Sequence, residues 1–116
     1  MLFVITFLIL LKNKSAPAID AAIEQDCMRE YVYQAKNRDV YIRGKPGKSA
    51  SNPPLYTVKK KEKICFTSKI HMYTEESGVQ TPWISVRSMG SNRVEGWANR
   101  CLFDGKPINA SYETRC

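Results

Sequence analysis

Two tryptophans flank one polar turn: Trp83-Ile84-Ser85-Val86-Arg87 precedes Gly90-Ser91-Asn92-Arg93, and Gly96-Trp97-Ala98 follows. Short β-branched and aromatic runs on either side of Gly and Asn predict a β-hairpin, here with one indole on each arm. Alternation along the first arm puts Ile84 and Val86 on one face and Trp83, Ser85 and Arg87 on the other. The aliphatic pair reads as the core face, which leaves the opposite face for recognition. The chain is expected to be a small all-β domain.

Four more clusters carry the same chemistry: Tyr31-Val32-Tyr33, Val40-Tyr41-Ile42, Leu55-Tyr56-Thr57-Val58 and Ile64-Cys65-Phe66-Thr67. Ile64 and Phe66 alternate to one face, which sends Cys65 to the other. Lys36 to Asp39 and Lys59 to Lys63 read as turns. Gly44 to Pro54, rich in Gly, Pro, Ser and Asn, reads as a long surface loop, and Ser68 to Thr81, holding His71, Glu75, Glu76 and Gly78, as a second one.

Ahead of these clusters, Leu2 to Leu11 is apolar except for Thr6. The run is about half of the ~20 residues a helix needs to cross a bilayer. Ser15-Ala16-Pro17-Ala18 suits the Ala-x-Ala pattern of a signal peptidase. Residues 1–18 are therefore expected to be a cleavable signal peptide, with a retained anchor as the alternative. Cleavage after Ala18 leaves 98 residues with 16 basic and 11 acidic side chains, a net charge of +5. Ile19, Ala22 and Ile23 fall at helical spacing, so residues 19–29 read as a lead-in, 30–104 as the domain and 105–116 as a tail tied by a disulfide.

Cys27, Cys65, Cys101 and Cys116 all follow the proposed cut. An even count in a short exported chain predicts two disulfides, and the residues alone permit all three connectivities. No pair has C-x-x-C spacing and His71 has no partner at ligand spacing, so neither a metal nor a cofactor is expected. A thiol nucleophile would need a reduced cysteine beside a histidine, and Glu24/Asp26 and Glu75/Glu76 read as solvated carboxylates. The chain is not expected to be an enzyme.

In order, Val40-Tyr41-Ile42-Arg43-Gly44-Lys45-Pro46, Val58, Lys60 to Ile64, Trp83-Ile84-Ser85-Val86 and Gly96-Trp97-Ala98 with Leu102 resemble the bacterial SH3-like family. Lys61 stands where that family commonly has a turn glycine. The resemblance implies an SH3-like barrel of five to six strands, exported to the periplasm or secreted, that binds peptidoglycan or short peptides as an adaptor or accessory subunit. In such a barrel the last strand lies antiparallel to the first, which implies the pairings Cys27–Cys116 and Cys65–Cys101.

Tyr41, Trp83 and Trp97, with Arg87, are the candidate ligand-binding residues, because flat amphipathic rings give large contact area at low entropy cost. The alternative is that both indoles simply pack the barrel. Lys59, Lys60, Lys61 and Lys63, with Lys45 and Lys48 in the loop, form a basic patch suited to anionic wall polymers, to phospholipid headgroups in peripheral membrane contact, or to an acidic face of an envelope protein complex. A solvated turn is the plainer reading. Nucleic acid is not expected, since export removes it and no stacking ladder flanks the lysines. Asn109-Ala110-Ser111 fits a glycosylation sequon. A second functional class is open: a secreted effector or inhibitor that blocks a protein partner through the loops Lys45–Pro54 and Ser68–Thr81.

Overall fold

The computed structural model describes residues 27–90 and 93–116. The expected signal peptide, residues 19–26 of the lead-in, and Ser91 and Asn92 of the hairpin turn lie outside them. Strands β1 (Val32–Ala35), β2 (Val40–Arg43), β3 (Pro54–Val58), β4 (Lys63–Thr74), β5 (Gln80–Ser88), β6 (Glu95–Asn99) and β7 (Phe103–Asp104) form one antiparallel sheet in the order β3-β2-β6-β5-β4-β1-β7. Among the described residues, two single 3-10 turns, Arg29–Tyr31 and Arg100–Leu102, and a short helix α1 (Ala110–Glu113) accompany the sheet.

The sheet must curl. β1 and β2 are joined by four residues yet stand four strand spacings apart in the sheet. Flat, that gap is roughly 19 Å, more than the roughly 17 Å that the link can reach fully extended. Curling brings Val58 of β3 and Phe103 of β7 into one buried cluster with Tyr33, Ile42, Ile84 and Val86. The tryptophan hairpin forms as expected, with Ser85 opposite Trp97 and Trp83 opposite Asn99. Gly96 is required there, because a Cβ on it would run into the carbonyl oxygen of Arg43 on β2.

Three expectations need correction. Among the described residues the strands number seven, not five or six, because β7 adds a two-residue edge pairing Gln34 with Asp104 and Ala35 with Phe103. The expected loop from Ser68 to Thr81 is mostly strand. β4 runs through to Thr74, and only Glu75 to Val79 turn the chain, closed by the Glu75 N–H to Val79 O bond of 2.8 Å. Ile70 and Met72 alternate with His71 and Tyr73, which is a strand pattern that the surrounding polar residues conceal. β4 carries two extra residues between Phe66 and Ile70, and Ser68 takes a positive φ of 80° there. Ser85 fills this irregularity: its Oγ accepts from Thr67 Oγ1 at 2.6 Å and from the Lys69 N–H at 3.0 Å. Two extra residues preserve the alternation, so Phe66 and Ile70 still face inward.

The disulfides are Cys27–Cys65 and Cys101–Cys116, not Cys27–Cys116 and Cys65–Cys101. The first and last strands do pair antiparallel, but that ladder ends after two residues. The 3-10 turn Arg29–Tyr31 bends the chain just before β1, so Cys27 comes back over Cys65 on β4 and not along β7. Cys101 sits in the other 3-10 turn, where the segment carrying α1 returns Cys116 to it. Two disulfides suit an oxidising, extracellular environment.

That same segment is held by a buried arginine absent from the sequence reading. Arg100 donates from Nη1 to Phe103 O at 2.7 Å and from Nη2 to Glu113 Oε1 at 3.0 Å, and its guanidinium lies 4.7 Å above the Tyr33 ring. Tyr33 Oη donates to Lys106 O at 2.6 Å. Burial pushes the Tyr33 phenol above its ordinary pKa, against the opposing charge of Arg100.

At the β3–β4 turn, Lys61 adopts φ 70° at the position where the family resemblance places glycine. Glu62 braces this turn, accepting the Lys59 N–H at 3.1 Å and the Tyr56 hydroxyl at 2.6 Å. Donation to that carboxylate pushes the Tyr56 phenol from 10.0 to about 12. A raised pKa means the folded state holds the proton more tightly. The resulting stabilisation is complete below the ordinary value and lost as pH rises through about 12. Tyr56→Phe is expected to lower stability at neutral pH and to shallow the alkaline decline; Tyr33 shifts in the same direction, so the difference between the two proteins isolates Tyr56. Urea titrations at a series of alkaline pH values check this, and identical alkaline profiles would refute it.

Candidate functional site

The outward face of the sheet carries the candidate site. Val40 and Ile42 point inward to the core, so Tyr41 and Arg43 point outward. Arg43 stands opposite Trp97, and the same register carried two residues back sets Tyr41 beside Asn99, which in turn pairs with Trp83. Tyr41, Asn99 and Trp83 therefore form one row across β2, β6 and β5. They line a cleft of about 280 Å³ together with Arg38, Asp39, Val40, Arg43, Lys48 and Leu102.

Trp83 is not open on the surface as expected; it is 2 % exposed. Parity placed it correctly on the outward face, but the Gly44–Pro53 loop folds back over that face. Gly47, at φ 109°, lies so close that a Cβ would sit 2.7 Å from the Tyr73 ring, and that ring meets the Trp83 ring edge-on at 6.3 Å. Asn52 stitches this loop from within. Its Nδ2 donates to Lys45 O at 2.6 Å and Gly47 O at 2.7 Å, its Oδ1 accepts the Lys45 N–H at 3.3 Å, and Arg43 Nη1 donates to its carbonyl at 2.7 Å. What reads as a solvated linker is a fixed cover, and Trp83 forms the floor of the cleft beneath it.

Tyr41 is 45 % exposed, with the Arg43 guanidinium 5.4 Å over its ring. Trp97 and Arg87 do not line the cleft. Trp97 is half-buried one row away, its ring 6.4 Å from that of His71, and Arg87 stands between Cys65 and Glu95 across its neighbouring strands. Of the expected ligand-binding residues the structure thus unites Tyr41 and Trp83 only. Lys59, Lys60, Lys61 and Lys63 lie on and beside the β3–β4 turn, which Asp39 ties to the rim: its Oδ1 accepts the Lys60 N–H at 2.8 Å and its Oδ2 lies 3.7 Å from Lys59 Nζ.

Arg38 and Asn99 escaped the sequence reading as site residues, and Arg43 and Leu102 entered it only through the family resemblance. Arg43 was within reach, since it shares the parity of Tyr41. Asn99 Oδ1 accepts the Cys101 N–H at 2.9 Å, so this side chain also starts the 3-10 turn that positions Leu102. Asn109 of the sequon caps α1 by accepting from the Tyr112 N–H at 3.1 Å. Among the described residues no three His, Cys, Asp or Glu side chains gather as metal ligands. Comparison of the chain with protein-family models, with curated proteins and with solved structures found no match.

Proposed function

We propose that this chain is an exported, non-catalytic binding module of SH3-like type that recognises a peptide or a cell-wall fragment and serves as an adaptor or accessory subunit. The observation that carries this reading is the cleft itself: an exposed tyrosine and a buried tryptophan in one row, ringed by cations and set on a disulfide-stapled sheet. A few polar groups around aromatic walls on a rigid scaffold are what a binding site requires. The curled antiparallel sheet supports the SH3-like assignment, and the two disulfides support export.

The test is retention on purified peptidoglycan sacculi. Tyr41→Ala removes an exposed ring that belongs to no core cluster, so its melting temperature is expected to match that of the parent. Its retention is expected to fall by about tenfold, the effect of losing a contact of roughly 1.4 kcal/mol. Equal retention of the two proteins rules out this face, and no retention of either sets the wall-binding reading aside in favour of a secreted inhibitor of a protein partner.

A further inference from the structure

We propose that the cleft is a carboxylate site, taking the free carboxylate end of a short peptide between Arg38, Arg43 and Lys48, over Trp83. The proposal rests on the reading of the chain as a peptide or wall-fragment binder and specifies which end of the ligand enters. Charge comes first. Three cationic side chains line the cleft against one carboxylate, Asp39. Asp39 is already engaged, by the Lys60 N–H at 2.8 Å and Lys59 Nζ at 3.7 Å. Arg43 uses Nη1 on the Asn52 carbonyl, which fixes its guanidinium beside Tyr41 and leaves the other donors of its fork for a ligand.

The second observation concerns shape. Trp83 lines the cleft beside Tyr41 and Leu102 and gives it apolar walls next to the cations. A ligand held by the cations against these walls must carry both negative charge and acceptor oxygens. A carboxylate does so in a flat shape that an arginine fork matches. At about 280 Å³, with Leu102 and the two rings as apolar walls, the cleft has room for one or two small residues behind that group. Such a carboxylate comes from two sources, a wall peptide ending in a D-residue or a protein C-terminus ending in an L-residue.

The chain holds two tryptophans, so the disulfide-intact protein labelled with 15N gives two indole N–H signals, and Trp97→Phe assigns them. Acetyl-alanyl-alanine with a free carboxylate is expected to shift the Trp83 signal saturably, whereas its C-terminal amide is not. Replacing both exposed cations, Arg38→Gln with Lys48→Gln, is expected to weaken binding of the acid by about tenfold or more. Preference for a terminal D-alanine or L-alanine identifies the source, and either preference supports the carboxylate site. No saturable shift with either acid, or equal response to acid and amide, overturns it. Failure of the wall-binding reading is seen separately, as loss of sacculus retention in a protein whose Trp83 signal still responds to the acid.

Discussion

Replacing Trp83 with alanine is expected to destabilise the protein by roughly 3–5 kcal/mol, the usual cost of emptying a fully buried aromatic site. On sequence parity alone the same substitution would be read as a change to an open recognition surface that leaves the fold intact. The structure reverses the order of effects. With 2 % of the residue exposed, deletion of the indole empties the space between β5 and the Gly44–Pro53 loop and removes the edge contact with Tyr73. The loop's own pins, Asn52 and Arg43, do not depend on the indole, so the cover has little freedom to collapse into the gap. Trp83→Phe keeps most of the apolar volume and is expected to lose less than half as much. Chemical denaturation of the three proteins measures this; an alanine variant within about 1 kcal/mol of the parent would show that the loop is no real cover.

Removing the Cys27–Cys65 bridge by the double substitution Cys27→Ser, Cys65→Ser is expected to cost about 4 kcal/mol, and removing Cys101–Cys116 about 3 kcal/mol, from the chain entropy each releases in the unfolded state. The difference follows from sequence separations of 38 and 15 residues. Either loss is large beside the total stability of a domain this small. Accessibility predicts the opposite order of chemical reduction. Cys27 and Cys65 are 2 % and 5 % exposed, whereas Cys116 is exposed and Cys101 half-buried. Increasing dithiothreitol should therefore open Cys101–Cys116 first, leaving α1 attached by the Arg100–Glu113 ion pair, the packing of Ile108 on the core and the contacts around Tyr33. Alkylation of freed thiols followed by peptide mass mapping reads the order directly, and simultaneous release of all four thiols would contradict it.

Much of the sheet was legible because strand alternation is a local property. Ile64 with Phe66, and Ile84 with Val86, face the core as their parity predicts, and Tyr41 stands outward between Val40 and Ile42. The distal half of the β4–β5 hairpin was missed although Ile70, His71, Met72 and Tyr73 alternate. This arm extends beyond the main core, so its composition is that of a surface and masks its period. The cover over Trp83 was hidden for another reason. Asn52 in a Gly- and Pro-rich stretch reads as solvated by default, and only the return of the chain onto β5 turns it into a buried pin.

The candidate site divides the same way. Tyr41 and Arg43 are two residues apart on one strand, and a single periodicity argument finds both. Arg38, Lys48, Asn99 and Leu102 come from separate turns and strands and meet only because the sheet order interleaves β2 with β6 and β5. By itself the amino-acid order settled which way each side chain faces along its own strand, since that depends on the neighbouring residue alone. Tertiary structure decided which outward face is covered, which cations share a cleft and which cysteines are bonded. Those outcomes depend on where distant segments return, at the Arg29–Tyr31 turn and the Gly44–Pro53 loop, and no periodicity within one segment encodes that return.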